Sequence, residues 1–229
     1  MSVRVGLLQT GDQGEAIAAK YRSNADLFKT MLDGQGFEFD VYEVNRGRFP
    51  ISVHAADSYL ITGSQHGVYE KLTWISELEQ FVRDCFVAIK PVVGICFGHQ
   101  VMAQALGGKV EKFKDGWALG RQEYRDFDGK IFPINAFHQD QVLAAPADST
   151  LILTSDFCAC AALSYGERGL SFQGHPEMDA EFILDLLDVK ADLLASHQIA
   201  TARASLEPMM DVSTITSQIV DMLTSQTKK

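Results

Sequence analysis

Residues 91–100 read PVVGICFGHQ, and the fold can be read from this stretch outward. Pro91 to Ile95 is apolar throughout, as a strand covered on both faces must be. It passes straight into Phe97-Gly98-His99-Gln100, the opening of a helical pattern. Cys96 stands at the junction, with Gly94 and Gly98 two residues to either side. Small flanking residues permit a tight, strained strand-to-helix turn that lifts its central side chain above the sheet. The first turn of the following helix then directs unpaired N–H groups and a partial positive charge at the sulfur, which favours thiolate. The N–H of Phe97 would face an oxyanion formed on attack by that thiolate. A cysteine between Ile95 and Phe97 also reads as an inert, buried core residue.

Working back from this junction, short β-rich runs alternate with helical patterns: Val3 to Leu8, an amphipathic stretch from Glu15 to Leu32, Phe37 to Val44, Asp57 to Thr62, and helical spacing from Thr73 to Ile89. Gly34 and Gly36 punctuate the end of the first helical stretch. Parallel strands need crossover connections, so the alternation predicts an α/β, doubly wound, mostly parallel sheet with helices on both faces, of the flavodoxin-like kind. Beyond Gly108 the runs shorten, at residues 110–113, 120–124, 131–136, 151–154, 159–165 and 169–173, and predict a small antiparallel extension with a hairpin turn at 166–169. A helical region spans Asp179 to Ala204. The expected division is one domain over 1–195 followed by a C-terminal helical tail over 196–229.

The 229 residues suffice for one substantial core. Thirty acidic against twenty basic residues, a net charge of −10, argue against a nucleic-acid surface, which needs clustered Lys and Arg. The apolar run at residues 3–8 is too short for a signal h-region, and no stretch approaches the roughly 20 apolar residues of a membrane span. Four cysteines in a chain of this length argue against a disulfide framework, and Cys158-x-Cys160 alone builds no zinc site. The expectation is a cytoplasmic protein without nucleic-acid or membrane partners.

A cysteine nucleophile needs a base and a group to orient that base. Of six histidines, His54, His66 and His197 have no supporting pattern and read as surface or capping residues. His99, three residues into the post-elbow helix, reads as packing back against the sheet. His138, in Ala136-Phe137-His138-Gln139-Asp140, is in position to line a pocket. His175 ends the apolar run Leu170-Ser171-Phe172 and precedes Pro176 and Glu177. Proline restricts the backbone of His175, and Glu177 can accept from the far ring nitrogen and set the tautomer. The same three residues also read as a surface turn.

Cys96 in its elbow followed late in the chain by His175-Pro176-Glu177 resembles the class I glutamine amidotransferase family. The match runs from the first strand to about residue 190. It is similar to the free-standing members, including γ-glutamyl peptidases and GMP synthase glutaminases, at Ile61-Thr62-Gly63-Ser64, Phe137-His138-Gln139-Asp140-Gln141-Val142 and Gln173-Gly174-His175-Pro176-Glu177. The resemblance implies a Cys96, His175, Glu177 triad and an oxyanion hole from the backbone N–H groups of Ser64 and Phe97. It also implies a substrate pocket at Gly63, Gln100, His138, Gln139 and Asp140, with no metal or organic cofactor. Gln139 stands where several dedicated amidotransferases have glycine, a departure that reshapes the pocket. The implied reaction cleaves a γ-glutamyl amide through a glutamyl thioester, as the glutaminase unit of a synthase carried on another chain. The alternatives are a stand-alone γ-glutamyl peptidase or hydrolase, and an inert binding or regulatory protein of the same fold.

Overall fold

A computed structural model describes residues 2–207 and 210–226. Its centre is a seven-stranded sheet in the order β2 (Phe37–Glu43), β1 (Val3–Gln9), β3 (Ser58–Ile61), β4 (Val92–Ile95), β11 (Gly169–Phe172), β10 (Ala162–Ser164), β9 (Thr150–Leu153). The first five strands run parallel, and β10 and β9 add an antiparallel edge. Two small antiparallel pairs lie apart from it, β5 (Lys109–Lys112) with β8 (Asp140–Ala144) and β6 (Ala118–Arg125) with β7 (Ile131–His138). The α/β, mostly parallel architecture is therefore as the alternation of runs predicts, but the runs at 151–154, 159–165 and 169–173, read as part of the small antiparallel extension, join the central sheet, the last as a strand parallel to β4.

Side chains alternate across the pleat. Tyr59, Ile61 and Val92 enter one core layer beneath α3 (Thr73–Val87) and α4 (Phe97–Ala105). Leu60, Val93 and Ile95 enter the opposite layer with Ala25 and Phe28 of α2 (Asn24–Met31). A third apolar cluster joins Ile17 of α1 (Glu15–Tyr21) to Phe182, Ile183 and Leu187 of α5 (Ala180–Val189).

The helical stretch expected over 15–32 is two helices. Arg22 turns to φ 64°, and the Ser23 hydroxyl caps α2 by accepting from the Asp26 N–H at 3.2 Å. Ser23-x-x-Asp26 has the spacing of an N-terminal cap, a signal that outweighs the continuous apolar period. The region from 179 to 204 likewise divides, into α5, a 3₁₀ turn at Ala191–Leu193 and α6 (Ser196–Ser205). Residues 196–229, set apart in the sequence as a tail, supply α6 against β6, and α7 (Ser213–Thr224) beneath the central strands. Ile215, Ile219 and Leu223 of α7 are buried in the layer that holds Val93, Ile95 and Phe172.

Candidate active site

Cys96 sits between β4 and α4 with φ 52° and ψ −103°, a conformation that is strained for any residue but glycine. The flanking glycines make it possible. A Cβ on Gly94 would fall 2.6 Å from the Met102 sulfur, and one on Gly98 would overlap the Ile61 carbonyl. The helix can therefore lie directly on the strands, and the turn is held where the Cys96 N–H donates to Phe172 O at 2.9 Å.

One strand further along the sheet, β11 delivers the segment that carries His175. Gly174 passes so close to β7 that a Cβ there would meet Ile134 at 2.8 Å. The His175 N–H then donates to Asn135 O at 2.7 Å, and the Asn135 amide donates to Met178 O at 2.8 Å. Asn135, which the sequence did not single out, thus staples the His175 turn from both sides.

His175 Nδ1 lies 2.6 Å from Glu177 Oε1, and both side chains are buried. The carboxylate fixes the proton on Nδ1 and leaves Nε2 for the other side of the ring. There the ring faces Cys96. A Cβ on Gly63 would fall 2.9 Å from His175 Cε1 and 3.8 Å from Cys96 Cβ. Burial alone would push the His175 pKa down, but the Glu177 carboxylate and Cys96 outweigh it and raise the pKa to about 10. The ring is therefore held protonated at neutral pH, between Glu177 and Cys96.

The peptide between Gly63 and Ser64 is oriented by its surroundings. The Gly63 carbonyl accepts from the Thr10 hydroxyl at 3.0 Å and from the Asn24 amide at 3.3 Å, and the Ser64 hydroxyl donates to Thr10 O at 2.7 Å. In a planar trans peptide the N–H points opposite to the C=O, so the Ser64 N–H faces away from Thr10. Phe97 supplies the first amide of α4, which has no helical acceptor. Its ring is buried against Trp74, with centroids 5.5 Å apart.

Above these groups opens a cavity of about 430 Å³ lined by Gly63, Ser64, Cys96, Gln100, His138, Gln139, Asp140, His175 and Glu177. The cavity thus gathers the residues singled out in the sequence, apart from Phe97, which does not line it. Cys96 is only 6% exposed, so the sulfur lies at the floor of the cavity and does not stand proud of the surface. Gln100 Nε2 donates to Asp140 O at 2.9 Å and to Gln173 Oε1 at 3.1 Å, which leaves Gln100 only its carbonyl oxygen to offer a ligand. His138 bonds through Nδ1 to Asp140 O at 3.1 Å, while its buried Nε2 has no partner. Burial, together with charge on nearby His175, lowers the His138 pKa to about 3, so this nitrogen is an acceptor. The Asp140 pKa is raised by burial against a weaker lowering by the Tyr69 hydroxyl beside it.

Tyr69, Glu70 and Lys112 also line this end of the cavity, and no sequence pattern marked them. His66, read as a surface residue, lines it too, paired with Glu70 at 2.8 Å. His99 is elsewhere: fully buried, it bridges Ser171 Oγ at 2.8 Å and Cys160 O at 3.0 Å. Among the described residues no group of three or more His, Cys, Asp or Glu side chains converges as a metal site requires, and no helix is long and apolar enough to cross a membrane.

The chain belongs to the class-I glutamine amidotransferase family, whose profile matches residues 21–181. It is 29% identical to γ-glutamyl peptidase 2 of Arabidopsis thaliana over 198 residues, 81% of this chain and 80% of the relative. It is 36% identical to one of the subunits of the glutamine-hydrolysing GMP synthase of Methanopyrus kandleri over 102 residues, 38% of this chain and 52% of that one. Its fold matches a glutamine amidotransferase of Thermotoga maritima with a TM-score of 0.79 at 17% identity, each chain covered in full.

Proposed function

We propose that the protein hydrolyses γ-glutamyl amides through a thioester on Cys96. The observation that carries this reading is the convergence of Cys96, the His175–Glu177 pair and the oriented Gly63–Ser64 peptide at one cavity floor. The Cys96 thiolate attacks the γ-carbonyl carbon, and the oxyanion is received by the N–H groups of Ser64 and Phe97. As the tetrahedral adduct collapses the C–N bond breaks, and His175 gives its proton to the departing nitrogen. The imidazole then takes a proton from water, whose oxygen attacks the thioester. The C–S bond breaks, releasing glutamate and restoring the thiolate–imidazolium pair. Gln100, His138, Gln139 and Asp140 form the end that takes the amino-acid head of the glutamyl group. The chemistry needs neither metal nor organic cofactor. The four free thiols support a reducing compartment, the cytoplasm.

Among γ-glutamyl amides, a stand-alone peptidase or hydrolase fits better than a component that feeds ammonia to a synthase. The peptidase relatives align over about four fifths of both chains, the GMP synthase relative over little more than a third of this one. Incubating the protein with glutamine and a panel of γ-glutamyl dipeptides, with intact-mass detection of a glutamyl adduct, tests both levels. Adduct formation and dipeptide turnover without a partner are expected. Turnover of glutamine alone, and only with a synthase present, would favour the glutaminase unit of an amidotransferase. Failure of every compound to acylate Cys96 would return the chain to an inert binding protein.

A further inference from the structure

The cavity has two unlike ends. One is polar and is built from the β3–α3 loop, α4 and the β5–β8 pair, where Tyr69, Glu70, Gln100, Lys112 and Asp140 gather. The other is formed by α5 and the turn after it, whose lining residues Phe182, Leu186, Val189, Leu193 and Leu194 are all apolar and are joined by a single charged one, Lys190. Trp117, packed edge-on against Phe137 with centroids 5.6 Å apart, closes the side. Val189 is 46% and Leu193 66% exposed, an arrangement unfavourable in water unless something apolar covers it. Ammonia leaving from glutamine would need no such wall.

We propose that this wall is the subsite for the amine half of the substrate, and that the preferred substrates are γ-glutamyl dipeptides whose second residue bears a large apolar side chain. The inference rests on the γ-glutamyl-cleaving reading above. Three observations carry it. The apolar wall is continuous with the cavity that has Cys96 at its floor. The opposite end already offers acceptors and a cation suited to the glutamyl zwitterion. Lys190, on the rim of the apolar wall, has no ion pair among the described residues and suits the free carboxylate of a departing amino acid. With the glutamyl head at the polar end and its carbonyl over Cys96, the amine half has the apolar wall to occupy. The amine leaves as the free amino acid after taking its proton from His175.

Steady-state kinetics of the full chain on γ-glutamyl-phenylalanine, γ-glutamyl-glycine, γ-glutamyl-phenethylamide and glutamine test the assignment. The expected result is a kcat/KM for the phenylalanine dipeptide about tenfold or more above that for the glycine dipeptide. Leu193→Ser, at a position 66% exposed, should bring this ratio towards one, whereas Phe127→Ser, exposed and outside the cavity, should not. Lys190→Gln should penalise γ-glutamyl-phenylalanine relative to the phenethylamide, which lacks the carboxylate. Equal kcat/KM for the two dipeptides, or a ratio indifferent to Leu193→Ser, would overturn the inference while glutamyl adducts on Cys96 kept the reaction itself intact. A concentration-dependent dimer lost in Leu193→Ser, with peptide preference unchanged, would assign the wall to a second copy. Absence of any adduct would remove the reaction and the subsite together.

Discussion

At the scale of single residues, the site is governed by how close three groups can come. Gly63 has no left-handed backbone angle, so alanine fits its main chain, yet the added Cβ would stand 2.9 Å from His175 Cε1. Gly63→Ala is therefore expected to displace the imidazole and lower kcat about a hundredfold, with far-UV dichroism and melting temperature near wild type. Cys96→Ala should abolish turnover and the glutamyl adduct in a folded protein. Glu177→Gln keeps an acceptor for Nδ1 but removes the charge that raises the His175 pKa. Activity should fall less than in Cys96→Ala, and the alkaline limb of the kcat/KM profile should move to lower pH, because the ring loses its proton sooner. Equal loss of activity and folding in all three variants would assign these residues to packing. Cys96, His175 and Glu177 are legible in the sequence because strain and proline leave local signatures. Tyr69, Lys112 and Asn135 are not, since their roles come from where distant segments meet.

At the scale of elements, each helix against the sheet is held by apolar contact, and α7 is the instructive case. Ile219 is fully buried beneath β4 and β11. Ile219→Ala should cost about 2–5 kcal/mol in a urea titration, the usual range for emptying such a site. A cost under about 0.5 kcal/mol would mean that α7 is not a structural layer. Strands β3 and β4 stand out in the sequence because they are buried throughout and stay apolar over residues 59–61 and 92–95, whereas the edge strand β2 shows as an alternation of Phe37, Phe39 and Val41 with Glu38 and Asp40. The breaks at Arg22 and after Val189 do not, because apolar spacing continues across them. Ser23 was the available signal for the first break, and a capping side chain decides a boundary that periodicity leaves open. The packing of α7 is invisible from residues 212–226 alone, since an amphipathic segment does not name the face that receives it.

For the molecule as a whole, two buried neutral histidines set the acid limit. Burial lowers the His99 pKa to about 4, against a weaker raising by Cys160 O, and that of His138 to about 3. Unfolded, both would titrate near 6.5. Between these values only the unfolded chain takes up the protons, so stability is fully present above about pH 6.5 and falls as pH drops towards 4. His99 alone corresponds to roughly 3 kcal/mol over that window. The urea midpoint should decline from pH 6.5 to 4, less steeply in His99→Gln, although that variant is less stable at pH 7. A midpoint flat over this range would show that neither ring is held neutral.

The neighbouring positions of β4 and β11 carry a last consequence. These strands touch, but the whole excursion through 97–168 must be closed before they do. Contacts of such sequence separation form late, after local helices and hairpins. Until then the sulfur has neither the imidazolium beside it nor the strained turn that holds it. In a nascent or partly opened chain Cys96 and His175 are therefore apart, and the two meet only in molecules that have finished folding.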